Sequence, residues 1–127
     1  MNNGTFQIKS WEEKPYKELD GGFKMSAAHI KQSYEGLLQG ESIVEYLMTY
    51  CRDGNARFVG HEFFSGQIGD RSGSVVFQHN GIFEAGEAKS DWHIVEGTGS
   101  EGMEGLKGSG NYSAKHGGTA SYAFNSK

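Results

Sequence analysis

Twenty glycines and a single proline, Pro15, in 127 residues constrain this chain more than any other feature. The glycines recur throughout, and each one placed inside a helix would cost ~1 kcal/mol relative to alanine. A long amphipathic helix is therefore excluded almost everywhere. Between the glycines, short segments alternate polar and apolar residues, the period of two that marks half-buried strands. Strands are expected at roughly 4–11, 23–38, 41–52, 56–68, 71–83, 87–96, 102–108, 110–116 and 119–126. Only the stretch Trp11 to Leu19 (WEEKPYKEL) breaks the alternation, and it reads as a loop or one helical turn. Eight or nine consecutive antiparallel strands with tight turns form an up-and-down barrel or a sandwich, and closure into a barrel is favoured because it removes exposed edges. No linker or low-complexity tract divides the chain, so one all-β domain over 1–127 is expected.

Charge and cysteine usage narrow the function classes. Lys+Arg 12 against Asp+Glu 16 gives a formal charge of -4, without the basic patch of a nucleic-acid or anionic-membrane binder. The lone Cys51 allows neither an intramolecular disulfide nor a thiolate metal cage. Met1 to Trp11 holds no basic stretch followed by an apolar run, and no aliphatic run approaches a membrane span, so a cytoplasmic protein is expected. His29, His61, His93 and His116 are dispersed and HExxH spacing is absent, so no metal site is expected. Gly97-Thr98-Gly99-Ser100-Glu101-Gly102 fits the spacing of a dinucleotide fingerprint. The following Met103 to Gly108 is too glycine-rich to be the helix that would hold a pyrophosphate, so no cofactor is expected.

Turn chemistry assigns the faces. Gly69-Asp70 suits a two-residue hairpin loop, which pairs Ile68 with Arg71, Phe64 with Val75, Glu62 with Phe77 and Gly60 with His79. One face then carries Phe58, Glu62, Phe64, Val75, Phe77 and His79, and this is the interior. In the preceding hairpin, a two-residue Asp53-Gly54 turn would bury Glu45 opposite Glu62. A three-residue loop with Gly54 left-handed instead places Val44, Tyr46, Met48 and Tyr50 on that face, and avoids burying two facing carboxylates. Gly40 in the same bulged role adds Ala28, Ile30, Gln32, Tyr34 and Leu38.

Glu62, His79 and Gln32 interrupt this apolar face, and they are the candidate chemistry. Glu62 and His79 fall diagonally across adjacent strands, with side-chain-free Gly60 between. Phe58, Phe64 and Phe77 around Glu62 penalise a lone carboxylate, whereas an adjacent imidazolium favours it. Such a pair can do general acid–base work on a ligand in the barrel without metal or cofactor. It can equally be an internal ion pair of a filled core. Gln32, Tyr34, Tyr46, Met48, Phe58, Phe64 and Phe77 are the expected ligand-lining residues. The outward Val59, Phe63 and Val76 group into an apolar patch, from which a homodimer is expected.

Beside this reading stands a resemblance. The order Trp11-Glu12-Glu13-Lys14-Pro15, Tyr34-Glu35-Gly36 with Gly40, Glu45 to Tyr50, Phe58-Val59-Gly60-His61-Glu62, Gly66, Ser72-Gly73-Ser74, Gln78-His79-Asn80-Gly81, Trp92 and Gly97 to Gly108 resembles a family of small bacterial proteins of unknown function. The resemblance spans nearly the whole chain. It implies an eight-stranded barrel similar to allene oxide cyclase and dirigent proteins, lipocalin-like in outline. Allene oxide cyclase confines an apolar substrate and steers ring closure with a buried Glu and bound water, and dirigent relatives steer radical coupling. Neither activity transfers by fold alone.

Three functions stay open. The barrel binds a small hydrophobic or aromatic molecule as a cofactor-free isomerase or cyclase, with Glu62 as base and His79 orienting a proton. It carries or senses such a molecule without catalysis. Or its interior is filled, and its role is self-assembly.

Overall fold

The computed structural model describes residues 3–18, 20–51, 53–115 and 119–126. The strands are β1 (Gly4–Glu18), β2 (Lys24–Gly36), β3 (Leu38–Tyr50), β4 (Ala56–Ile68), β5 (Arg71–Glu84), β6 (Glu87–Ile94), β7 (Ser100–Glu101), β8 (Gly108–Lys115) and β9 (Ala120–Ser126), with a 3-10 turn at Asp20–Gly22. Hydrogen bonding runs β4-β3-β2-β1-β9-β8-β6-β5, and a β4–β5 pairing closes the ring. The result is a closed eight-stranded antiparallel barrel, with the two-residue β7 added on β5.

The β3–β4 and β4–β5 turns set their registers as their glycines predict. Ile68 pairs with Arg71 across the Gly69-Asp70 turn, Glu62 with Phe77 and Gly60 with His79. In the β3–β4 hairpin Gly54 has φ 84 and its N–H bonds the Cys51 carbonyl at 3.1 Å, while the Cys51 N–H bonds the Asn55 carbonyl at 2.8 Å. Val44 therefore faces Glu62, and Glu45 stays outside opposite His61.

Three expectations need correction. The stretch after Trp11 is neither loop nor helix: β1 runs on to Glu18, paired to β2 through bulges between Ile8 and Ser10 and between Pro15 and Lys17. After Phe6 this strand has no fully buried residue, so no apolar face existed to print a period of two on its sequence. Pro15, which lacks an N–H, is tolerated because this half of β1 is a sheet edge. Second, residues 102–105 are turns and 106–107 irregular rather than a strand, and this segment sends Met103 and Leu106 into the core. Third, the β2–β3 turn falls at Leu37 rather than at Gly40. Gly40 lies within β3 at φ 150, its strand pressed so closely on Gly66 that a Cβ there would sit 2.2 Å from the Ser65 carbonyl oxygen. The interior survives this shift, since Ala28, Ile30, Gln32, Tyr34 and Leu38 are all buried. Positions 19, 52 and 116, which ended expected segments, lie outside the described residues, and so does the histidine at 116.

The barrel is filled by aromatic rings. Trp92 stacks on Phe124 at 5.6 Å, Phe77 lies 4.5 Å from Trp92, and Phe64 lies 6.0 Å from Phe77. Closure is uneven. β1 meets β9 only over Gly4, Thr5 and Phe6, opposite Tyr122, Ser121 and Ala120, and then follows β2 alone. Tyr122 secures this short seam: its hydroxyl accepts the Leu38 N–H at 2.8 Å and donates to the Glu35 carbonyl at 2.9 Å.

Candidate functional site

Alternation on β4 and β5 turns Glu62 and His79 inward, and the hairpin register sets them one diagonal step apart. Both are 1% exposed, and His79 Nε2 lies 2.7 Å from Glu62 Oε1. The second carboxylate oxygen accepts the Tyr34 hydroxyl at 2.5 Å. On the far side, His79 Nδ1 lies 2.8 Å from Ser90 Oγ, which can donate to the Asp91 carbonyl at 3.3 Å. This network holds a proton in two ways. A neutral His79 accepts the Ser90 O–H at Nδ1 and donates its Nε2–H to Glu62; an imidazolium donates at both nitrogens while Ser90 donates to the Asp91 carbonyl. Burial, then the Glu62 charge and hydrogen bond, push the Tyr34 hydroxyl well above its ordinary pKa, so it remains a donor.

Gly60 has a different reason from the one its sequence position suggests. A Cβ there would lie 1.9 Å from the Glu45 carbonyl oxygen. The residue permits close approach of β3 and β4 rather than clearing space between Glu62 and His79.

The accessible part of the interior is elsewhere. Where β1 leaves β9, a cleft of about 60 Å³ opens, with β1 contributing Phe6, Ile8 and Trp11 and β8 contributing Tyr112 and Ala114. Of the expected lining residues, Gln32, Tyr46, Met48 and Phe58 reach it. Tyr34, Phe64 and Phe77 do not line it, and neither do Glu62 and His79; all five are buried in the packed interior. At a water's share of ~30 Å³, the cleft holds about two waters as it stands. Its polar groups are Gln32 and the Tyr46–Tyr112 hydroxyl pair, 2.9 Å apart. Burial raises the pKa of Tyr46 well above the ordinary value and raises that of Tyr112 as well, so both hydroxyls stay protonated. One contact leads inward: the Tyr34 hydroxyl is 3.5 Å from Gln32 Oε1, too long to compete with its bond to Glu62.

Glu13 was missed from sequence, because its segment showed no strand pattern. Its carboxylate accepts Trp11 Nε1 at 3.0 Å, Ser26 Oγ at 2.5 Å and the Tyr50 hydroxyl at 2.6 Å. Burial pushes its pKa up, but these three donors and the Lys24 charge outweigh that and hold it below the ordinary carboxylate value. Glu13 thereby fixes Trp11, 44% exposed, at the rim of the cleft. Trp92 is by contrast a core residue, and its Nε1 and Ser42 Oγ are buried without a partner among the described residues. The Gly97 to Gly102 stretch opens no helix, as its turn structure shows. Among the described residues no group of three or more His, Cys, Asp or Glu is placed to hold a metal ion.

Residues 2–125 match a family profile described as protein of unknown function (DUF3224). A solved structure described as a protein of unknown function from that family, from Shewanella oneidensis MR-1, is similar at 25% identity with a TM-score of 0.78, over 98% of this chain and 93% of that one. No curated protein matches the sequence.

Proposed function

The chain belongs to the DUF3224 family of proteins of unknown function, and from that premise we propose that its barrel binds one small, mainly apolar or aromatic molecule, as a carrier or sensor, at the seam between β1 and β8. The observation that carries this reading is the early separation of β1 from β9, which leaves an apolar cleft leading to the barrel interior. Gln32 and the two tyrosine hydroxyls are the polar groups that would orient a ligand among hydrocarbon walls, the common composition of small-molecule sites. A ligand of benzene size requires more room than the cleft now has, since an engineered cavity that takes benzene measures about 150 Å³. Met48 is the flexible wall that can give, and Trp11 is the exposed one. The resemblance to allene oxide cyclase-like barrels supports an apolar occupant.

Benzyl alcohol and indole are suitable probes. Binding raises the melting temperature with the logarithm of probe concentration above its dissociation constant and shifts Trp11 emission, and Ala114→Leu, which fills the cleft, abolishes both responses. Absence of both responses in the unmodified protein at millimolar probe overturns the reading in favour of a filled barrel.

A second reading is favoured by the chain of contacts Gln32–Tyr34–Glu62–His79, which joins the cleft to the buried pair. In that reading a substrate that reaches past Gln32 meets the Tyr34 hydroxyl, which takes its proton as Glu62 takes the hydroxyl's own, so that Glu62 is the base of a cofactor-free isomerisation. Glu62→Gln then eliminates turnover of a substrate found by the probe screen while leaving its affinity within about threefold; undiminished turnover removes Glu62 from the chemistry.

A further inference from the structure

Among the described residues the exposed large apolar side chains fall into two groups, Ile8, Trp11 and Tyr16 along β1 and four more on the outer face of β3 and β4. Among the described residues, Ile43, Leu47, Val59 and Phe63 are large apolar side chains 44–55% exposed, and all four lie on these two adjacent strands. The registers Ile43–Phe63 and Leu47–Val59 gather them into two apolar pairs. Between these pairs lies one polar pair, Glu45 opposite His61. Val76, half-buried, extends the patch from Phe63 onto β5. Together the four half-exposed side chains present roughly a few hundred Å² of apolar surface on either side of the Glu45–His61 pair, the size of the largest apolar patch on a typical monomer, which is often functional.

We propose that this face joins two copies of the chain in a twofold dimer whose axis runs parallel to the strands, between β3 and β4. Such an axis lays each β3 residue on the second copy's residue that already pairs with it across the β3–β4 ladder. Ile43 meets Phe63 of the second copy, Leu47 meets Val59, Glu45 meets His61, Thr49 meets Arg57 and Glu41 meets Ser65. Apolar groups meet apolar groups, and no like charges face each other. The other in-plane twofold, running across the strands at the level of Glu45 and His61, would set Glu45 on Glu45 and His61 on His61. Facing carboxylates exclude it. Within one copy Glu45 Oε1 already binds His29 Nδ1 at 3.0 Å, so its second oxygen is the one offered to the incoming His61. The surface is thus complementary to itself in hydrophobicity and in polar groups, each carboxylate acceptor meeting an imidazole, which selects a second copy over a partner of uniform charge.

The test is mass in solution by light scattering after gel filtration, with dissociation constants from sedimentation. The unmodified protein is expected at twice the chain mass at roughly 100 μM. Phe63→Glu is expected to weaken association at least about tenfold, the effect of charging the centre of an interface. His61→Glu is expected to weaken it, since it sets carboxylates together at two symmetric places, and Glu45→Lys is expected to weaken it by removing the acceptor that the second copy's His61 meets. The double variant Glu45→Lys/His61→Glu restores association with the charges exchanged. Tyr16→Ser, at an exposed site off this face, leaves the mass unchanged, and the melting temperature of dilute protein verifies folding of every variant. A chain mass of one at 100 μM overturns the dimer. A dimer insensitive to Phe63→Glu overturns the face, and single charge reversals without effect overturn the axis.

Discussion

Glu62 is held by two donors in a place water does not reach, which makes it a structural residue whatever else it does. Glu62→Ala leaves His79 and the Tyr34 hydroxyl buried without their acceptor, and should lower unfolding free energy by about 3–5 kcal/mol in urea titration. Glu62→Gln keeps a carbonyl acceptor and should cost distinctly less. Equal losses would show that packing rather than hydrogen bonding dominates there. Titration gives a second residue-scale prediction at each end of the pH range. The Glu13 pKa is depressed in the folded state, so its contribution is complete above the ordinary value of 4.5 and is lost as pH falls through its folded value. For Tyr34 and Tyr46 the folded pKa is raised, so their neutral hydroxyls favour the fold below the ordinary value of 10.0 and that contribution falls as pH rises beyond it. Melting temperature should therefore decline on both flanks. Glu13→Gln should flatten the acid limb, and an unchanged acid limb in that variant would assign it to other carboxylates.

At the scale of elements, close approach of strands decides more than burial does. Gly40 and Gly66, facing each other at φ 150 and 152, let β3 and β4 bend together where no side chain fits. Gly40→Ala forces both a rare backbone conformation and a clash with Ser65, and should destabilise by at least ~1–3 kcal/mol in thermal or urea unfolding. A near-neutral result would mean that the bend relaxes freely. Tyr122 acts between elements, tying β9 to the β2–β3 turn. Tyr122→Phe leaves the buried Leu38 N–H without its acceptor, at a cost of ~1–3 kcal/mol. The second half of β1 carries Glu12, Glu13, Lys14, Pro15 and Lys17, a composition that blunts an edge strand against stray pairing. What looked like a loop in sequence is thus a strand designed to remain unpaired on one side.

For the whole molecule, the uneven closure is the property that matters for function. Every other ladder of the closed ring holds six or more residue pairs, whereas β1 and β9 share three. Local opening should begin there. In native-state hydrogen exchange the β1–β9 amides should exchange at lower free energy than those of β3, β4 and β5, and a bound ligand should slow the seam amides selectively. Uniform protection around the ring would mean that a ligand can enter only by global unfolding.

The amino-acid order by itself determined the all-β class, the β3–β4 and β4–β5 registers and the inward placement of Glu62, His79, Gln32 and their aromatic neighbours. These follow from local rules: glycine chemistry chooses each turn, each turn sets a register, and a period of two carries that register along the strand. Only the tertiary structure decided the rest. Whether the interior is hollow depends on how rings from distant strands interlock, as Trp92 and Phe124 do, and sequence spacing holds no information about that. The path of β1 beyond Phe6 was equally hidden, because a strand with neither face buried bears no periodic signature and is held by its neighbour's backbone and by the Glu13 contacts to Ser26 and Tyr50. The cleft and Glu13 came into view with that strand, since both exist only where β1 parts from β9.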